Sequence, residues 1–366
     1  MNTLVLKNYL KEGLSLTERM SSRNTTLPIL SDVLIIAEKN RLILKATNLE
    51  IGVEIEMPAK VENTGTVAVS AQTIYSFISN LHTDEYLRLE KKDDNLLIKT
   101  PNTSTIIKGQ TTEDFPSFPE IESKEEITIP SQDFFYGLKS VWYAASLSQI
   151  KPELSSIFIS IKNKEICFVA TDSFRLAEKK INYSGQNIKN ILIPYKSAVE
   201  IIRILDNRTG NINISFDKNQ LVLVIGEIKF ITRLVDGVFP DYEQIMPKKI
   251  LSDVSLDKQS FLNILKSAAI FVNKLQELQI STNSKNSILV LKTINAEEGE
   301  HTASVPTQQT GSDFSITLNL KQVFDCIPYI QSEKILIRFS GEDKPVLFTG
   351  INNNSFHYLS MPIRNN

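Results

Sequence analysis

Ala170-Thr171-Asp172-Ser173-Phe174-Arg175-Leu176-Ala177 sets the register of this sequence. Its opening has a counterpart in Ala46-Thr47-Asn48, 124 residues before it, and another in Thr293-Ile294-Asn295, 123 after it. Pro28-Ile29-Leu30-Ser31, Pro152-Glu153-Leu154-Ser155 and Gln276-Glu277-Leu278-Gln279 follow one another at steps of 124. Asp114-Phe115-Pro116 returns 124 residues later as Val238-Phe239-Pro240. One such match means little. Several in one register, nearly without gaps, mark three copies of one domain. Polar, charged boundaries at Ile121-Glu122-Ser123-Lys124 and Pro247-Lys248-Lys249 divide the chain into 1–122, 123–248 and 249–366.

Each copy divides again. Short alternating strands open the copies at Leu4-Val5-Leu6, Ile127-Thr128-Ile129 and Val254-Ser255-Leu256. Similar strands open the second halves at Val67-Ala68-Val69, Ile191-Leu192-Ile193 and Ile316-Thr317-Leu318. A helical stripe follows: Phe134, Leu138, Val141 and Trp142 in the second copy, Phe261, Leu262, Leu265 and Ala269 in the third. The mid-copy stripes are Ile74, Phe77, Ile78 and Leu81; Val199, Ile202 and Leu205; and Val323, Phe324 and Ile327. Alternating strands such as Tyr86-Leu87-Arg88-Leu89 come next, separated by turns of the Asp94-Asn95 and Asn163-Lys164 kind. The unit is strand–helix–strands, six times over, which gives an α+β layer architecture.

The chain has 366 residues, 42% hydrophobic and 22% charged, a globular composition. Lys+Arg is 40 against Asp+Glu 42, which excludes a uniformly basic protein but not one whose cations are sorted onto one surface. Runs such as Val33-Leu34-Ile35-Ile36-Ala37 fall far short of the ~18 apolar residues of a membrane span. Met1-Asn2-Thr3-Leu4 opens no secretory pattern, so a cytoplasmic protein with no membrane partner is expected. Cys167 and Cys326 lie far apart, and His82, His301 and His357 are isolated, which leaves neither a disulfide framework nor a metal site. No nucleophile elbow, H-E-x-x-H or phosphate-cradling glycine loop occurs. A hydrolase, a nucleotidase and a dinucleotide enzyme are disfavoured, and no cofactor is expected.

Six mixed units close into a ring more readily than they stack into a rod, because closure leaves no sheet edge exposed. Twelve helices from two chains, each ~10 Å across, would frame an opening on the order of 28 Å, enough for a nucleic-acid duplex. The helices carry Lys7, Lys11, Arg19, Lys139, Lys196, Arg203, Lys258, Lys266 and Lys321 against Glu12, Glu18, Asp133, Glu200, Asp206, Asp257 and Asp325, a small positive bias. The alternative is a repeat-built α+β enzyme or ligand-binding protein unrelated to DNA.

Four stretches then narrow the reading: Leu27-Pro28-Ile29-Leu30, the Ala170–Ala177 octapeptide, Leu234-Val235-Asp236-Gly237-Val238-Phe239-Pro240-Asp241-Tyr242, and Met361-Pro362-Ile363-Arg364. In this order and spacing the chain resembles, over its whole length, the bacterial DNA polymerase III beta subunit, the replicative sliding clamp. The resemblance implies the DNA-clamp fold, three similar domains of two repeats each, paired head to tail as a homodimeric ring around duplex DNA. It implies no catalysis by the chain itself, which would serve as the processivity subunit of a DNA-directed DNA polymerase holoenzyme. Its implied partners are the DNA polymerase III alpha subunit, the ATP-driven clamp loader, and other DNA polymerases and repair proteins that carry a clamp-binding peptide.

Carried over residue by residue, the resemblance places a partner-peptide pocket at Leu154, Thr171, Ser173, Phe174, Arg175, Leu176, Pro240, Ile245, Val346, Leu359, Ser360, Met361, Pro362, Ile363 and Arg364. An apolar cleft with an adaptable Met and a few polar groups suits that role. Asp172 reads as a turn residue rather than a catalytic acid, since no second carboxylate or His stands near it in sequence. DNA contacts are implied at Arg23, Lys151 and Lys196. The ring seam is expected to join Ile106, Ile107 and Lys108 on an edge strand to Ile270, Phe271, Glu297, Glu298 and Glu300. Two features depart from the family pattern: Gln72 and Thr73 replace an Arg at the second helix, and the chain ends in polar Asn365-Asn366.

Overall fold

The computed structural model describes every residue except 22–25, 83–85, 119–120, 122–124 and 364–366. Six helices each follow directly on a strand, as the repeat requires: α1 (Lys7–Met20), α2 (Ala71–Asn80), α3 (Ser131–Lys139), α4 (Tyr195–Leu205), α5 (Lys258–Ala268) and α6 (Leu320–Cys326). The strand-to-helix step is set by small polar caps. Ser70 Oγ accepts from Thr73 N at 3.3 Å, Asp257 Oδ1 from Ser260 N at 2.7 Å and Asn319 Oδ1 from Gln322 N at 3.0 Å. Each such cap satisfies a backbone donor that the helix itself leaves unpaired.

The stripes bury the face the sequence marks, with local differences. Leu10 and Leu14, Ile74 and Ile78, Phe134 and Leu138, and Phe261 and Leu265 are all buried. Fully burying a side chain of this kind contributes ~1.5–3 kcal/mol. In α4 the buried face is Ala198, Ile201 and Leu205, so two of the three expected positions, Val199 and Ile202, sit at its margin. Leu205 is common to both readings, and a one-residue offset rotates a helix by about 100°. α3 ends at Lys139, and Trp142 belongs to a separate 3-10 turn, Trp142–Ala144. Likewise Ala269 lies beyond α5, in the 3-10 turn Ala269–Phe271. The turn expected at Asp94-Asn95 falls one residue earlier, with Asp93 at φ 54°, and Asn95 already begins a strand. α1 packs on α2 and on the strands Arg41–Thr47 and Ile51–Pro58. Gly13 permits that approach, since a Cβ there would lie 2.7 Å from the Met57 methyl and 2.8 Å from Leu44.

The chain forms two compact units, and neither coincides with a sequence repeat. The first comprises Met1–Gln132 and Arg203–Leu234, the second Asp133–Ile202 and Val235–Asn366. The first unit holds a five-stranded sheet that ends on Ser104–Ile107, and a nine-stranded sheet. In the nine-stranded sheet, Ile51–Pro58 of the first repeat pairs antiparallel with Ile228–Arg233 of the second, Ile51 opposite Thr232 and Val53 opposite Phe230. The second unit is built on a twelve-stranded sheet, in which Arg175–Asn182 pairs antiparallel with Asn353–Ser360. Arg175 stands opposite Ser360 there, and Leu176 opposite Leu359. Strand edges of successive repeats thus satisfy each other's backbone groups instead of facing solvent.

Candidate functional site

The Thr171–Arg175 loop joins two strands of the second unit, and its own side chains shape it. Asp172 Oδ1 accepts from the backbone N–H groups of Phe174 at 3.0 Å and Arg175 at 2.9 Å. Thr171 Oγ1 donates to the Arg175 carbonyl at 2.6 Å and accepts from Ser173 N at 3.2 Å. Ser173 takes the left-handed conformation, φ 76°, that so tight a reversal demands. The result pushes Phe174 out of the fold, 67% exposed, while its carbonyl accepts from Met361 N at 2.8 Å. Asp172 is therefore the turn residue the sequence indicates.

Arg175 turns inward. Its Nε meets Asp172 Oδ2 and its NH1 meets Asp325 Oδ2, both at 2.9 Å, with the guanidinium 5.8 Å from the Tyr143 ring. Two carboxylates offset the desolvation that an unpaired buried guanidinium would suffer. Asp325, 150 residues away, is a partner that no local pattern could single out.

Beside the loop lies a cleft of about 720 Å³. Eight of the expected pocket residues line it: Thr171, Ser173, Phe174, Arg175, Leu176, Ile245, Leu359 and Met361. Leu154, Val346 and Ser360 are buried and do not line it. Pro240 lines a different cavity of about 450 Å³, with Cys167, Lys180 and Tyr242. Pro362 and Ile363 are half-buried past the cleft, Ile363 N donating to the Thr317 carbonyl at 2.8 Å, and Arg364 lies outside the described residues. The lining also includes Gln244, Met246, Lys248, Lys249, Asp343 and Lys344, which sequence reasoning missed. Exposed lysines have no periodicity, so nothing in their spacing marks them.

A buried carboxylate is bonded to three residues that line the cavity of about 450 Å³, Cys167, Lys180 and Tyr242. Glu178 accepts from Tyr242 Oη at 2.9 Å, meets His357 Nδ1 at 2.9 Å and Lys180 Nζ at 3.4 Å, and receives the Cys167 thiol at 3.6 Å. Burial alone would raise its pKa, but His357, Lys180 and Tyr242 prevail and hold it below the ordinary carboxylate value. The same burial, with Glu178 alongside, pushes the Cys167 thiol up to about 12. Tyr242 is the first residue of the 3-10 turn Tyr242–Ile245, so this network fixes the segment that lines the cleft.

Of the cations expected to face DNA, Lys151 and Lys196 are exposed, and Arg23 lies outside the described residues. Lys7 and Lys258 open α1 and α5 but turn their ammonium groups onto the fold, Lys7 Nζ donating to the Leu81 carbonyl at 2.6 Å and Lys258 Nζ to the Ile330 carbonyl at 2.7 Å. Asp206 follows α4 and Asp257 caps α5, so neither is within a helix. Among the described residues no cluster of three or more His, Cys, Asp or Glu is placed to hold a metal. No helix there is long and apolar enough to cross a membrane.

The whole length of this arrangement is matched by known proteins. Family models of the DNA polymerase III beta subunit match in succession: the N-terminal domain at residues 1–119, the central domain at 128–241 and the C-terminal domain at 243–364. The chain belongs to the DNA polymerase III beta subunit family. Beta sliding clamps of Staphylococcus epidermidis and Staphylococcus aureus are each 25% identical over 374 residues, covering 100% of this chain and 99% of the relative. The DNA polymerase III subunit beta of Pseudomonas aeruginosa has the same fold, with a TM-score of 0.93 at 23% identity and full coverage of both chains. The sliding clamp of Bacillus subtilis superimposes with a TM-score of 0.94 at 22% identity, again over both whole chains.

Against that family pattern, the residues expected at a ring seam divide into outward and inward ones. Ile106 on the terminal strand of its sheet is 54% exposed and Lys108 is exposed, whereas Ile107 is buried in its own unit. Alternate residues of a strand point to opposite faces, so only one of the two isoleucines is available. Ile270 is 64% exposed, and Phe271 stacks on His301 with ring centroids 5.7 Å apart. Glu297 and Glu298 are exposed, and Glu300 already pairs with Lys292 of its own unit at 3.1 Å. Gln72 is an exposed residue of α2.

Proposed function

We propose that two copies of this chain close head to tail into a ring around duplex DNA and tether the replicative polymerase and other DNA enzymes to it. The chain is a DNA sliding clamp and catalyses no reaction. The observation that carries this reading is the unbroken succession of N-terminal, central and C-terminal beta subunit domains. A tethered polymerase rebinds its primer end at an effective concentration on the order of millimolar, so it does not diffuse away between additions. Lys151 and Lys196 serve phosphates, which gives contact without sequence preference and with strong salt dependence.

Partners dock through a short linear peptide in the Thr171–Arg175 cleft. Leu176, Ile245, Leu359 and Met361 receive its apolar side chains, and Lys248, Lys249 and Lys344 favour carboxylates beside them. The partners are the DNA polymerase III alpha subunit, the clamp loader that opens the ring with ATP, and further polymerases and repair proteins. Ile106 meets Ile270 and Phe271 across the ring seam, and the apolar contact carries most of its stability. The ring is tested by loading it onto a nicked circular duplex and cutting the circle once. A ring stays on the circle and leaves the linear product; equal retention on both refutes topological linkage.

A further inference from the structure

The loop that shapes the cleft occurs twice. In the first unit, Thr47 Oγ1 donates to the Ile51 carbonyl at 2.9 Å and accepts from Leu49 N at 3.0 Å. Asn48 Oδ1 accepts from Glu50 N at 3.0 Å and Ile51 N at 2.8 Å. Leu49 is left-handed, φ 73°, as Ser173 is. Arg233 N donates to the Glu50 carbonyl at 3.0 Å, the bond that Met361 N makes to Phe174. Each hydrogen bond that the Thr171 and Asp172 side chains make to the loop backbone thus recurs 124 residues earlier, only the Asp172–Arg175 ion pair lacking a counterpart because Ile51 stands at that place, and the strand alongside pairs in the equivalent register. A smaller cavity of about 280 Å³ opens beside this copy, lined by Leu49, Glu50, Ile51, Phe118, Ile231 and Arg233 among others.

We infer that this cavity is a second peptide-docking site, which seats one large apolar side chain with a neighbouring carboxylate held by Arg233. The inference rests on the reading of the Thr171–Arg175 cleft as a peptide site. The chemistry differs between the copies in a definite way. Gly52 replaces Leu176 at the floor, and the Phe118 ring lies directly on it, where a Cβ would stand 3.3 Å from the ring. The space left is below the usual size of a small-ligand pocket, about 300–1,000 Å³, and suits a single anchor rather than an extended segment. Glu50 and Arg233 stand where the other cleft has Phe174 and Met361, so the rim is charged instead of apolar. Arg233 is exposed, and its guanidinium makes no ion pair among the described residues. Glu50 is also exposed on the rim and disfavours a second carboxylate. The occupant therefore carries one acidic group beside its anchor.

The test uses the full-length chain, isotope-labelled at Ile and Met methyls, titrated with N-acetyl-leucyl-phenylalanine and with its C-terminal amide. Ile51 and Ile231 report the second site, Ile245 and Met361 the main cleft. Saturable shifts at Ile51 and Ile231 are expected, weakened about fivefold in the amide and about fivefold in Arg233→Glu, as for an exposed ion pair. In Arg233→Glu the response at Ile245 and Met361 stays unchanged. Silence at Ile51 and Ile231 while Met361 titrates overturns the second site alone. Silence at Ile245 and Met361 overturns the reading of the main cleft, and this inference with it. The amide comparison needs no variant, so a folding defect in Arg233→Glu cannot decide the matter.

Discussion

Replacing Asp172 tests whether the loop or its charge holds the cleft together. Asp172→Ala removes two backbone acceptor contacts and one ion pair to Arg175. A typical hydrogen bond contributes about 1 kcal/mol net, and one to a charged group about 1.5–3 kcal/mol. The full sum is not lost: Phe174 N lies in an exposed turn and can turn to water, and Arg175 keeps Asp325. A loss of about 2–3 kcal/mol follows. Asp172→Asn is a different perturbation, because the first repeat already shows the outcome. Asn48 stands at the equivalent place and makes both backbone contacts. The Asn variant keeps the turn, loses only the charge facing Arg175, and costs about 1 kcal/mol. Thermal unfolding of the second unit is the assay, at about 2–4 °C per kcal/mol for a unit of this size. Equal damage from Ala and Asn, or a loss from Ala below about 0.5 kcal/mol, would refute the assignment of the turn to Asp172.

Further predictions concern the second unit and the seam. Glu178 has its pKa lowered in the folded chain, so the stability it supplies is present above its ordinary value of 4.5 and is lost as pH falls through the lower, folded value. An acid titration of unfolding is expected to show that loss in the wild type and not in Glu178→Gln; parallel curves would contradict it. Cys167, with its thiol near 12, and fully buried Cys326 are both expected to resist alkylation at pH 8 and to react once the chain is denatured. Rapid labelling of Cys167 in the native protein would mean that the Glu178–Tyr242 network opens readily. Ile270→Asp places a charge on the apolar seam and is expected to reduce the particle from twice 41.3 kDa to a single chain in sedimentation. A dimer that persists unchanged would put the seam elsewhere.

The sequence revealed the order of the elements well, because hydrophobic period and repeat register are local signals. Each of the five stripes overlaps a helix, although Leu81, Val141, Trp142, Ala269 and Ile327 fall beyond the helix ends. Errors came where a stripe runs on past the hydrogen-bonded helix, as at Val141 and Trp142, since apolar spacing persists through a 3-10 turn. Ile106 and Ile107 read alike in the sequence because an edge strand looks the same whichever face is buried, and the structure exposes the first and buries the second. Thr171–Leu176 was legible as the cleft's shaping loop, but Asp325, Lys249 and Lys344 were not. Asp325 stands 150 residues from Arg175, and no local pattern encodes a partner at such a separation.

The pairing of Arg175–Asn182 with Asn353–Ser360 has a consequence for truncation. The middle third of the sequence is a repeat by ancestry, yet its strands are shared between two sheets, Glu125–Pro130 and those of 211–233 in one and those of 156–194 in the other. Excised as 123–248, it would bare the flank of Arg175–Asn182 on one side and of Ile228–Arg233 on the other, both rich in unpaired amides. Such a fragment invites strand-to-strand aggregation. Any minimal version of this protein has to be cut along its sheets and not along its repeats.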